Sequence, residues 1–142
     1  NRIITEVTRS ILDPEKRIRF SLRGVDIYLP TQQATSCALI INELLQNAVE
    51  HGYPQESEGH IEVILAADGD DLRIEVIDDG QGLSPALAQG LDNSLGLQIV
   101  RTLVREDLKG RFDLQNMNGR GVRAVVTFPR QARSRVLVAA RD

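Results

Sequence analysis

The run Leu72-Arg-Ile74-Glu-Val76-Ile-Asp78 places the tightest constraint on the fold this chain can adopt. Strand alternation puts Leu72, Ile74, Val76 and Asp78 on one side, so a carboxylate continues an apolar face inward. An unpaired carboxylate there would cost several kcal/mol. The fold must therefore bring donors to Asp78, and Gly80 and Gly82 just after it let another group come close to the backbone.

A second segment has the same double character. From about Thr35 to His51 the apolar residues recur at helical spacing. Cys37, Ala38, Ile41, Leu44, Leu45 and Ala48 gather on one side of that helix, and Glu43, Asn47, Glu50 and His51 share an arc on the other. One face belongs to a core and the other carries ligands. Gly52 and Pro54 end the helix.

The remaining elements follow from local patterns. Arg17–Leu22 and Asp26–Leu29 read as short strands around Gly24, with Pro30 separating them from the long helix. His60–Ala66 and Leu72–Asp78 form a hairpin across Asp68-Gly69-Asp70-Asp71. Gly80 to Ser94, with its glycines, Ser84-Pro85 and weak periodicity, reads as a mobile loop with room for one helical turn. Leu97, Val100, Leu103 and Val104 mark an amphipathic helix that starts at Gly96, and Arg111–Asn116 with Val122–Phe128 make a second hairpin. A helix-then-hairpin order repeated once predicts an α+β fold: a two-layer sandwich with a mostly antiparallel mixed sheet and its helices on one face. At 142 residues and 42% apolar content, one domain is expected, over residues 13–129. Residues 1–12 read as the trailing end of an upstream helix. Residues 130–142 form a basic tail with an apolar patch at Val136–Ala140, which fits an extra strand, a linker or disorder equally.

Composition narrows the function classes. There is no Trp, with two Tyr, three Phe and no interleaving of basic and aromatic residues, which argues against nucleic acid as a partner. The net charge of −3 is uneven: residues 1–96 hold 7 basic and 16 acidic groups, and residues 97–142 hold 10 and 4. The basic half suits phosphates, an acidic partner or plain solvation. The single cysteine, Cys37, falls on the apolar helix face and reads as a structural thiol. With no internal disulfide, no run of 18 apolar residues and no charged-then-apolar leader, a cytoplasmic location without membrane contact is expected.

Taken together, the motifs discriminate where each alone does not. Asn42-Glu43-x-x-x-Asn47-Ala-x-x-His51, then Asp78-x-Gly80-x-Gly82, then Leu95-Gly-Leu-x-Ile-Val, then Gly119-x-Gly121 before Phe128-Pro129 resembles the ATP-binding domain of the GHKL superfamily. That superfamily holds sensor histidine kinases, gyrase-type ATPases, Hsp90 and MutL proteins, and the resemblance covers about residues 17–129. Leu95 to Gly110 looks most like the cytosolic PdtaS-like sensor histidine kinases of actinobacteria. The resemblance implies the Bergerat ATP-binding fold, with ATP and Mg²⁺ as cofactors. It assigns Asn47 to Mg²⁺, Glu43 to orienting or deprotonating the attacking group, and Asp78 to accepting the adenine amino group. Gly80 and Gly82 then turn beneath the base, His51 lies near the nucleotide, and the Gly96 and Leu97 amides at a helix start face phosphate. Gly119 and Gly121 match the last glycine box, although a plain hairpin turn fits them as well. Asp79 reads as a solvated loop residue.

Two positions depart from the family pattern. Ser94 stands where a glycine is usual, which puts the phosphate contacts in doubt and suggests a short lid. Glu50 stands where a basic residue often faces phosphate. Neither His51 nor His60 fits as phosphoacceptor, so the resemblance implies an upstream histidine domain, a response regulator partner and a homodimeric full-length protein. An anti-sigma-factor serine kinase of the same superfamily, or a nucleotide-binding module without phosphotransfer, are the other readings.

Overall fold

The computed structural model describes residues 17–53, 58–83, 94–117 and 120–130. The expected leading helix over residues 1–12, most of the loop from Gly80 to Ser94, Gly119 and the tail beyond Arg130 lie outside the described residues. Seven elements follow in order: β1 (Arg17–Gly24), α1 (Thr31–Gly52), β2 (Glu58–Asp68), β3 (Asp71–Asp78), α2 (Leu95–Glu106), β4 (Arg111–Asn116) and β5 (Val122–Pro129).

The sheet runs β1-β2-β3-β5-β4, with β1 parallel to β2 and every other pair antiparallel. The expected mostly antiparallel mixed sheet under two helices is the architecture found. Its register aligns the apolar positions across strands. Val63 pairs with Val76 and Val76 with Ala124, while Leu65 pairs with Ile74 and Ile74 with Val126. That single face meets Ile40, Ile41, Leu44, Leu45 and Ala48 of α1 and Val100 and Val104 of α2, all buried in one core. Burial of large aliphatic side chains at roughly 1.5–3 kcal/mol each supplies the driving force.

Two boundaries differ from the sequence reading. Asp26–Leu29 is not a strand. At Gly24 the chain turns with φ 122°, and a Cβ there would lie 1.9 Å from the Leu65 carbonyl oxygen. After the bond from Val25 N–H to that oxygen at 2.9 Å the chain leaves the sheet, with Ile27 and Leu29 packing against the core edge. Helix α1 begins at Thr31 rather than Thr35, because Pro30 supplies the capping backbone and accepts from Ala34 N–H at 2.9 Å. Thr31 and Gln32 are exposed, so they carry no periodic signal.

Between β2 and β3 a two-residue turn places Gly69 at φ 67°, the only positive φ of the turn, as a type II′ hairpin requires. The two helices are tied at one end by Ser36 Oγ donating to Asp107 Oδ2 at 2.6 Å. On the face of the sheet away from the helices, Glu75 is only 5% exposed. It accepts from Arg73 Nε at 2.8 Å and Arg123 Nε at 2.5 Å. Burial works to raise the Glu75 pKa, and the two guanidiniums more than offset it, holding the carboxyl below its usual range.

Candidate functional site

Asp78 ends β3 and is 6% exposed, paired in register between Ile61 and Val122. The donors its inward position demands are backbone groups: Gly80 N–H reaches Oδ1 at 2.9 Å, and the Val122 N–H also faces the carboxylate. They do not fully compensate. Burial, with the neighbouring Asp79 charge adding to it, pushes the Asp78 carboxyl above its usual range.

In front of Asp78 lies an open cavity. Leu44 and Ala48 of α1, Val76 of β3, Leu114 of β4 and Val122 and Ala124 of β5 form apolar walls, and Asn47, His51, Gly82 and Leu83 complete the lining. An apolar slot with one buried acceptor suits a flat heterocycle carrying an amino group. Asn47 supplies a neutral oxygen at the same cavity. Among the described residues no group of three His, Cys, Asp or Glu side chains could hold a metal.

The segment after Asp78 is built by close approaches. A Cβ on Gly80 would lie 2.3 Å from the Gly52 carbonyl oxygen, the same oxygen that accepts from Gln81 N–H at 2.9 Å. Gln81 Nε2 donates to the His51 carbonyl at 2.7 Å, and Leu83 N–H donates to Asn116 Oδ1 at 2.8 Å. Gly82 has φ 91°. Gly121 is buried at φ 100°, with its missing Cβ 1.9 Å from the Asp78 carbonyl oxygen, so it is a packing contact beside the site rather than an open turn.

The helix residues divide. Asn47 and His51 reach the cavity. Glu43 does not line it; its Oε2 lies 2.8 Å from where a Cβ on Gly96 would stand, so the carboxylate rests against the first turn of α2. Glu50 is exposed and does not line the cavity either, so its charge stands away from it. Ser94 is the N-cap of α2, accepting from Leu97 N–H at 3.4 Å. The serine that departs from the family glycine thus has a capping role, and it engages one of the two amides expected to face phosphate. Gly119 lies outside the described residues.

Asp79 corrects the sequence reading. Although its surface is exposed, its Oδ1 accepts from the Tyr53 hydroxyl and from His60 N–H. Burial works to raise its pKa, and these donors with the Arg120 charge more than offset that, holding it below the usual range. Tyr53, Gln81 and Asn116 were not legible as site residues. Tyr53 carried one signal, an aromatic residue with a polar tip immediately after the helix-ending glycine.

Residues 32–132 match the family described as histidine kinase-, DNA gyrase B-, and HSP90-like ATPase. The chain belongs to that family. Within this ATPase family, the sensor histidine kinase PdtaS of Mycobacterium tuberculosis is 32% identical over 136 residues, covering 95% of this chain and 27% of its own length. The chain therefore spans little more than a quarter of that curated relative. The histidine kinase domain of the Erythrobacter litoralis EL346 blue-light activated kinase superposes with a TM-score of 0.77 at 23% identity, over 90% of this chain and 58% of that one. Histidine kinase ThkA, solved in complex with the response regulator protein TrrA, gives a TM-score of 0.70 at 22% identity, over 92% of this chain and 40% of that one. These two likenesses speak to the fold.

Proposed function

We propose that this chain is the ATP-binding catalytic domain of a sensor histidine kinase, which holds Mg²⁺-ATP and directs its γ-phosphate to a histidine on an upstream domain. The observation that carries the proposal is a buried Asp78 carboxylate and the Asn47 amide lining one apolar cavity, in a chain of this ATPase family.

In this reading Asp78 accepts the adenine amino group while Leu44, Ala48, Val76 and Leu114 enclose the ring. Gly80 and Gly82 keep the backbone low beneath the base. His51 borders the ribose side, and Asn47 ligates Mg²⁺, which neutralises phosphate charge when bound. Amides of Gly96 and Leu97 meet phosphate at the α2 start, where the helix dipole favours anions. The long Ser94 bond is readily exchanged for a phosphate oxygen. Gly121 keeps the β4–β5 connection low beside the phosphates, and Gly119 belongs to the same glycine box by sequence. Glu43 accepts a hydrogen bond from the incoming imidazole, leaving the other ring nitrogen free to attack. The acceptor histidine stands on a separate dimerising domain, and the phosphoryl group passes on to a response regulator, as the ThkA–TrrA pairing supports. Among the described residues no helix is long and apolar enough to cross a membrane.

Calorimetric titration of the chain with a non-hydrolysable ATP analogue, with and without Mg²⁺ and with a GTP analogue as control, tests the reading. Saturable, Mg²⁺-dependent binding selective for adenine is expected. No binding at millimolar nucleotide would overturn it. Asn47→Ala is expected to reduce the affinity gained from Mg²⁺ by about five- to tenfold, the worth of one ligating oxygen; an unchanged metal dependence removes Asn47 from the metal shell. In the full-length protein, Glu43→Gln should slow autophosphorylation about tenfold with ATP affinity changed less than about twofold, the signature of an interaction with the attacking group alone. Equal losses in both would assign Glu43 a structural role.

A further inference from the structure

We infer that Tyr53 and Asp79 form a clasp that sets the base selectivity of the site by fixing where the Asp78 carboxylate stands, an inference that rests on the nucleotide reading above. Tyr53 is 0% exposed, so its hydroxyl must find partners inside the protein. It donates to the Asp79 carboxylate, lies 3.0 Å from the His60 carbonyl oxygen, and accepts from Asp79 N–H at 3.0 Å. The same Asp79 Oδ1 accepts from His60 N–H at 3.0 Å. One hydroxyl and one carboxylate thereby join the end of α1, the start of β2 and the residue directly after Asp78.

The clasp is braced on both sides. A Cβ on Gly59 would lie 2.3 Å from the Tyr53 ring, so the ring fills the place of a side chain against β2. Tyr53 also follows Gly52 directly. The α carbon of Gly52 faces Asp78, where a Cβ would stand 3.3 Å from Oδ1, and its carbonyl receives Gln81 N–H. The backbone on each side of the buried carboxylate is thus anchored through Tyr53. Burial first, then the Asp79 carboxylate, pushes the Tyr53 hydroxyl well above its usual range, so the clasp stays a neutral phenol on a carboxylate at neutral pH.

Among the described residues Asp78 is the one carboxylate lining the cavity, and it favours an adenine amino group, which donates to it, over a guanine keto oxygen, which does not. A clasp that holds residue 79 holds the Asp78 carboxylate and its bond from Gly80 N–H. Releasing it lets the carboxylate drift, which weakens the adenine-specific bond and leaves stacking and phosphate contacts alone. A purely structural bond would lower stability without changing the preference between bases.

The test compares wild type, Tyr53→Phe, Asp79→Asn, the double variant and Asp78→Asn by calorimetry with non-hydrolysable ATP and GTP analogues in saturating Mg²⁺. Tyr53→Phe and Asp79→Asn should each weaken ATP-analogue binding about three- to tenfold with GTP-analogue binding held within about twofold, and the double variant should lose no more than the worse single, as residues acting in one network do. Amide exchange at Gly80 in the nucleotide-free protein should quicken about tenfold in Tyr53→Phe, which keeps the ring and its packing. Selectivity and Gly80 exchange both unchanged, with only the melting temperature lowered, would overturn the inference. Selective wild-type binding that is lost in Asp78→Asn supports the nucleotide reading by itself, so unchanged clasp variants beside that result defeat the clasp alone. Absence of wild-type binding defeats both.

Discussion

Asp78→Asn is expected to cost the site about 10- to 100-fold in adenine-nucleotide affinity, the 1.5–3 kcal/mol worth of a buried hydrogen bond to a charged acceptor, and at the same time to raise the melting temperature of the nucleotide-free protein at neutral pH. The second half follows from the direction of the Asp78 shift. Burial raises its folded pKa, so the fold prefers the protonated carboxyl. The stability this gives is full below the unfolded carboxylate pKa of about 3.9 and is lost as pH rises through the folded value. At pH 7 the wild type therefore carries an unfavourable buried charge that asparagine does not. Glu75 and Asp79 shift the opposite way, so their contributions are lost on acidification, but both proteins share them and they cancel in the comparison. Melting curves of both proteins from neutral pH downward should show a gap that closes toward about pH 3 as Asp78 protonates. A mutant melting below the wild type at neutral pH, with ATP-analogue affinity intact, would remove Asp78 from both roles.

That conflict between stability and binding is also what made Asp78 legible in the sequence. A carboxylate on the inward side of an alternating strand breaks the pattern, and such breaks concentrate at sites. The two faces of α1 were legible for the same reason: a period of 3.6 sorts Leu44 and Ala48 from Glu43 and Asn47 with no tertiary information. Other features depend on contacts that periodicity does not carry. Glu75 alternates to the outer face, where sequence predicts exposure, but the register sets it between Ile64 and Val125 and lets Arg73 and Arg123 close over its carboxylate. Asp79 looked like loop because its partners, Tyr53 and His60, come from the end of α1 and the start of β2. The approach of Glu43 to Gly96 depends on how α2 sits beside α1, which no local pattern encodes. Asp26–Leu29 has strand-like composition, but Gly24 turns the chain off the sheet before pairing can continue.

Gly121→Ala should produce a large loss of stability, about 3 kcal/mol or more, by adding overpacking to strained backbone. At φ 100° the residue occupies a region that L side chains rarely adopt, and its new methyl would stand 1.9 Å from the Asp78 carbonyl oxygen and 3.1 Å from the Asp79 Cα. Both neighbours are backbone, so relief requires β3 and the start of β5 to separate where Asp78 is held. Gly69→Ala separates the two terms. Gly69 also has positive φ, at 67°, but nothing lies within 4 Å of its missing Cβ, so only the backbone term of about 1 kcal/mol applies. Urea midpoints of the two variants should differ by the steric term, and the folded fraction of Gly121→Ala should bind ATP analogue more weakly while Gly69→Ala binds as the wild type does. Equal midpoints would mean that the β4–β5 connection yields without moving β3, and that the Asp78 end of the sheet is not held by this contact.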